Sequence, residues 1–352
     1  MSSRAAMIAR LVRWLGPWAD ESARPAVRRR TERFDAHRPL EAWVYRPADR
    51  EPVGCTFVIP GLHYLGPADV RLDRFLSILA YSGQLVCCPF LPEFRRARVG
   101  PELVPDAIAA WDGFVALPDL PHGRPGVFSI SFGSFPAVHL ASRRDVGALT
   151  IFGGFESFEE AIRFSLEGDP DQAHDPLNRP VVFINLLEFL PGCPEPRAQL
   201  ADAWLSYIRR TWGKHHMRYE GGWIEVAERM SAQLPEAMRP MFEMGVGIRD
   251  GGMAAITEAL VEGRSTLLHL DPGPIASGVR CPVTIVHGRD DDVIPYSQAE
   301  RLHDLFEGSA LHLTGLYAHT GSSMVGPSAL RDELKAMMGI VGAMTDGSIV
   351  GR

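Results

Sequence analysis

Two periodicities alternate along this chain. Apolar runs of four to six residues, such as Leu85-Val86-Cys87-Cys88, have the length of strands buried on both faces. Between them lie stretches whose apolar residues recur three and four apart, as at Leu72, Phe75, Leu76 and Leu79, which is helical spacing. The pattern predicts strands over residues 29–35, 40–46, 55–59, 85–88, 126–130 and 149–152, with helices over 70–80, 101–115 and 132–142. It resumes with strands over 283–286 and 310–313 and helices over 298–306 and 328–338. Strands alternating with helices imply an α/β fold, a mostly parallel central sheet with helices on both faces. Between 156 and 276 the alternation lapses into helical stretches, with 181–187 readable as a strand or a buried helix. The expected organisation is a sheet core from residues 29–155 and 277–352, a helical cap inserted over 156–276, and an N-terminal segment over 1–28.

That first segment carries Met7, Ile8, Leu11, Val12 and Leu15 at helical spacing, with Arg4, Arg10 and Arg13 between them. The arginines interrupt the apolar core that a secretory signal needs. An amphipathic helix of this kind packs on its own domain or on a second subunit. Contact with a membrane surface, helped by Trp14 and Trp18, is the alternative.

Composition narrows the function classes. The 352 residues are 46% hydrophobic and 22% charged, and the formal net charge is -7, so there is no basic footprint for nucleic acid. No run of about 18 apolar residues marks a membrane span. Five cysteines, an odd number without metal or redox spacing, favour a reducing, cytoplasmic setting.

The chemistry begins at Ser129-Ile130-Ser131-Phe132-Gly133, a small-x-Ser-x-small sequence between a predicted strand and a predicted helix. A sharp strand-to-helix turn crowds the positions two before and two after the serine, so small residues are needed there. Seated on it, the hydroxyl stands clear of the strand end and the next backbone N–H faces a developing oxyanion. The motif alone is weakly specific, and its context raises it. A serine nucleophile also needs a base, and the base a carboxylate to hold its tautomer. Downstream, the strand over 283–286 runs into His287-Gly288-Arg289-Asp290-Asp291-Asp292-Val293-Ile294-Pro295, and the strand over 310–313 runs into Thr314-Gly315-Leu316-Tyr317-Ala318-His319.

Taken together, these segments resemble the α/β-hydrolase superfamily over about residues 29–154 and 277–339. Its acid loop commonly reads Gly-x-x-Asp-x-aliphatic-aliphatic-Pro, which aligns the acid with Asp291, with Asp292 next in order. Its histidine follows the last strand, as His319 does. The resemblance implies Ser131 as nucleophile, Asp291 as acid and His319 as base, with backbone N–H groups of Leu62 and Phe132 as the oxyanion hole. The loop before Leu62 reads Pro60-Gly61 where many members carry His-Gly. His63, Trp204, Trp223 and Phe242 are expected to line the substrate pocket. The expected activity is cleavage of a small carboxylic ester with an apolar moiety through an acyl-enzyme, without metal or cofactor. An acyltransferase, a thioesterase, a carbon–carbon bond hydrolase and a catalytically silent binding module share the same scaffold.

Overall fold

Burial separates the strands as their sequences predict. Gly54–Ile59 (β3) and Gln84–Pro89 (β4) are buried at every position, whereas Val27–Phe34 (β1), reading Val-Arg-Arg-Arg-Thr-Glu-Arg-Phe, is buried only at Phe34. A run without alternation suits a strand covered on both faces, and a charged strand suits a sheet edge, where it discourages pairing with another chain. The computed structural model of the chain describes residues 3–16, 18–168, 174–315 and 330–349. The remaining strands are Leu40–Pro47 (β2), Gly126–Ile130 (β5), Leu149–Phe152 (β6), Val283–Gly288 (β7) and Ala310–Thr314 (β8). They form one eight-stranded sheet in the order β1-β2-β4-β3-β5-β6-β7-β8. The pairs β1–β2 and β2–β4 are antiparallel and every other pair is parallel, so the chain is an α/β protein with a mostly parallel sheet.

Side chains alternate between two cores. Phe57, Ile59 and Cys87 join a core with the helices Leu103–Val115 and Ser134–Arg143. Val58, Val86 and Cys88 point the other way, towards Val70–Ser82 and Leu330–Ile349. Adjacent cysteines on opposite faces follow directly from the two-residue period of a strand. The N-terminal helix, Ser3–Leu15, packs on this second face of its own domain: Met7 and Leu11 are fully buried, and Arg10 donates to the Ser82 carbonyl at 3.1 Å. No helix among the described residues is long and apolar enough to cross a membrane.

The segment between β6 and β7 is helical where it is described. Its longer helices are Phe158–Glu167, Arg197–Thr211, Gly222–Gln233, Arg239–Val246 and Gly252–Leu267. The ambiguous stretch over 181–187 falls largely in the helix Arg179–Asn185. Its continuous apolar run fits a buried helix as well as a strand, and burial within the insertion decided between them. The expected helix over 132–142 begins with a 3-10 turn, Ser131–Gly133, before α-helix sets in at Ser134.

Candidate active site

At the end of β5 the backbone does something an ordinary turn does not. Ser131 has φ of 54°, one of two non-glycine residues among those described with a positive φ. Such a conformation costs of order 1–3 kcal/mol and persists only where its surroundings enforce it. Those surroundings are the chain after β3. A Cβ on Gly61 would stand 3.4 Å from the Ser131 Cβ, and a Cβ on Gly133 would stand 2.5 Å from the Pro60 carbonyl oxygen and 3.0 Å from that of Ile59. The elbow and the Pro60-Gly61 loop therefore press on each other, backbone against backbone. Gly133→Ala should collide with atoms that cannot rotate aside. It is expected to lower the thermal midpoint and to reduce Ser131 reactivity by at least tenfold; unchanged values of both would show the contact to be slack. Serine is tolerated at position 129 for a different reason. Its side chain is fully buried but its hydroxyl donates to the Thr150 carbonyl on β6 at 3.3 Å.

The same contact brings the expected oxyanion donors near the nucleophile. Leu62 follows Gly61 on the loop, and its N–H makes no backbone hydrogen bond among the described residues. Phe132 follows Ser131 in the first turn of the helix, where N–H groups have no intrahelical acceptor. The departure from His-Gly at Pro60-Gly61 leaves the close approach in place.

The acid loop sorts the three carboxylates. Asp290 is exposed. Asp291 is buried, and its Oδ1 accepts from the N–H groups of Val293 and Ile294, both at 2.9 Å. Asp292 turns the other way and pairs with Arg218, whose Nη1 also stands 3.5 Å from Asp175. Parallel pairing puts Thr314, the last residue of β8, beside Gly288, and Arg289 donates to its carbonyl at 2.8 Å. The chain thus leaves β8 next to the acid loop. His319, five residues on, lies outside the described residues.

Ser131 opens into a cleft of about 560 Å³ with two kinds of wall. The sheet core contributes Leu62, Ile130 and Phe132; the helical insertion contributes Phe158, Ile162, Val182 and Trp212. His63 lines it too. Its ring stacks on Tyr64 at 4.6 Å, its Nδ1 accepts from the Leu65 N–H at 3.2 Å, and burial holds its pKa below the usual histidine value. The other expected pocket residues are not in these walls. Trp204 and Phe242 are fully buried inside the insertion, where the Trp204 indole donates to the Phe242 carbonyl at 3.2 Å and packs over Gly245. Trp223 is half-buried against the same core. Trp204 and Phe242 pack inside the insertion, and the expectation that these three residues line the cleft is not met among the described residues.

Sequence reasoning missed the ion cluster that joins the insertion to the acid loop. Asp175 donates its backbone N–H to the Asp292 carbonyl at 3.0 Å and caps the turn Pro176–Asn178 by accepting from Leu177. Burial pushes the Asp175 carboxyl up, against the pull of Arg218. All three side chains are largely buried, at 17%, 10% and 11% exposure for Arg218, Asp175 and Asp292. Removing one partner of such a cluster strands the others, so Arg218→Ala is expected to cost about 3 kcal/mol in chemical denaturation. A loss below about 1 kcal/mol would mark it as an ordinary surface pair. The only sequence hint was the third aspartate in a row.

No protein-family model matches the sequence, and no curated protein matches it significantly. Solved structures do. A puromycin-hydrolyzing peptidase of Mycobacterium tuberculosis aligns over 92% of this chain and 39% of its own at 15% identity, with a TM-score of 0.51. An acylaminoacyl peptidase of Pyrococcus horikoshii aligns over 91% and 41% at 13% identity and a TM-score of 0.48. A 2,6-dihydroxy-pseudo-oxynicotine hydrolase aligns over 90% and 68% at 14% identity and a TM-score of 0.46. The chain spans about two fifths of the length of the two peptidases. At these identities the likeness concerns the fold, and with the sheet order and the elbow already described it has one meaning: this chain has the α/β-hydrolase fold.

Proposed function

We propose that the protein is a serine hydrolase that cleaves carboxylic esters through an acyl-enzyme. The observation that carries this reading is Ser131, held at a positive φ on the floor of a cleft. Strain at a single serine facing a cavity is what a nucleophile's site requires and what a packing role does not. In the proposed reaction the Ser131 hydroxyl attacks the ester carbonyl while His319 takes its proton. Asp291 holds the His319 tautomer and stabilises the imidazolium that forms. The Leu62 and Phe132 N–H groups receive the oxyanion, and His319 then protonates the departing alcohol. Water, activated by the same base, releases the acid.

The cleft supports an apolar substrate group. Its walls include aliphatic and aromatic side chains such as Leu62, Ile130, Phe132 and Phe158 beside polar and charged ones such as Asn178 and Arg218, and its volume is in the range that encloses a small-molecule ligand. The residues of the insertion in those walls support its role as a cap that sets substrate size. The test is a turnover screen over esters, thioesters and amides of graded acyl length, run beside fluorophosphonate labelling of the intact protein. Hydrolysis of esters above the other classes, with a chain-length optimum, is the expected result. Labelling without ester turnover would redirect the reading to another acyl-transfer reaction. Absence of both would leave a hydrolase-fold binding module.

A further inference from the structure

We infer that His287 is a positioning residue for Asp291, extending the Ser131, His319 and Asp291 relay one side chain further into the protein. The inference rests on the hydrolase reading above, since Asp291 has a base to orient only if Ser131 needs one.

His287 is the penultimate residue of β7, fully buried, four residues before Asp291. Its Nε2 lies 2.9 Å from the Ile294 carbonyl oxygen and 3.3 Å from Asp291 Oδ2. Both neighbours are acceptors, so Nε2 carries the proton and donates to the carbonyl, with the carboxylate oxygen close enough to be attracted by the same N–H. The opposite ring nitrogen, Nδ1, is buried with no hydrogen-bond partner among the described residues. A methionine or leucine in this place would fill similar space without leaving a polar atom unsatisfied. The ring therefore leaves Nδ1 unpaired and offers one directed N–H into the acid loop, an imbalance that packing alone does not explain.

The donation lands where it controls the acid. Ile294 gives its N–H to Asp291 Oδ1 and takes the His287 proton on its carbonyl, so one residue is clamped from both sides. Backbone amides hold one carboxylate oxygen, and His287 stands beside the other. Without the imidazole the loop carbonyl loses its buried donor, and Asp291 Oδ2 loses the ring that stands beside it. A displacement of about 1 Å in a supporting group can cost on the order of a hundredfold in rate.

The test compares His287→Met and His287→Gln in the full chain, with p-nitrophenyl butyrate as substrate and thermal midpoints measured alongside. Glutamine can return an N–H to the position of Nε2; methionine cannot. Met is expected to lower kcat by about tenfold or more with KM within about twofold, and Gln to recover most of that loss. A Met variant with wild-type kcat, a loss in KM alone, or a Gln variant as poor as Met would overturn the inference. If the variants fail to fold, nitrogen-15 histidine spectra of the wild-type protein decide it. An exchange-protected Nε2–H tautomer whose signal moves in Asp291→Asn is expected, and a protected Nδ1–H tautomer would overturn the assignment. An unlabelled Ser131 in the wild-type protein defeats the hydrolase reading and this inference with it. Labelled wild type with an unaffected Met variant defeats this inference alone.

Discussion

Alanine at position 131 is expected to leave a folded protein that no longer turns over esters or reacts with a fluorophosphonate. The Ser131 hydroxyl makes no hydrogen bond among the described residues, and its Cβ remains in alanine, so the contact with the Pro60-Gly61 loop persists. Stability should change little, because the backbone strain at φ 54° is common to both side chains. Activity should not survive: losing the nucleophile of such a triad typically costs on the order of a millionfold in kcat. Mass spectrometry of the phosphonylated wild-type protein should find the adduct on Ser131. The neighbouring serines make this a sharp test. Ser129 and Ser134 are fully buried, and the Ser129 hydroxyl is already committed to Thr150. An adduct on either would defeat the assignment.

Asp291→Asn is the second large effect, expected to lower kcat by about ten-thousandfold. The amide is nearly the same shape, and its oxygen can still accept from Val293 and Ile294. That orientation places the NH2 group at the Oδ2 position, 3.3 Å from the His287 Nε2–H. Donor then meets donor, and no negative charge remains to stabilise an imidazolium on the base. The same change at its neighbours should read differently. Asp290 is exposed, so its substitution should cost far less in kcat than Asp291→Asn. Asp292 is tied to Arg218, so Asp292→Asn should weaken the attachment of the insertion and appear mainly in stability and KM. Steady-state kinetics and denaturation of the three variants separate these outcomes. Equal losses of kcat at all three positions would refute the assignment of the acid to Asp291.

Much of the core was legible because its signals are local. A strand buried on both faces is mostly apolar, which made β3, β4 and β5 readable from composition, and β5 and β6 agree with the expectation to the residue. The elbow was readable because crowding at a tight turn acts on residues two away, and Gly133 shows that crowding directly. Three adjacent aspartates were harder. Neighbouring side chains in a turn diverge, and only burial and partners distinguish the one clamped by backbone amides from the one drawn to Arg218.

The insertion divides what the chain declares from what its packing decides. The helical spacing of Leu200, Trp204, Tyr207 and Ile208 already marked one face of Arg197–Thr211 for burial. It did not say whether that face met the cleft or the other helices of the insertion. Tertiary packing turned it inward, so Trp204 closes on Phe242, while Trp212, just past the helix end, reaches the cleft. The sequence by itself determined the α/β class, the strands that lead into the elbow and the acid loop, and the order of Ser131, Asp291 and His319 along the chain. Only the tertiary structure decided which aspartate the backbone amides clamp, which aromatics wall the cleft, and that Arg218 joins the insertion to the acid loop. The physical reason is range: periodicity and turn crowding act over a few residues and are written in the sequence. Partners such as Arg218 and Asp292 stand 74 positions apart and meet only when the whole chain has packed.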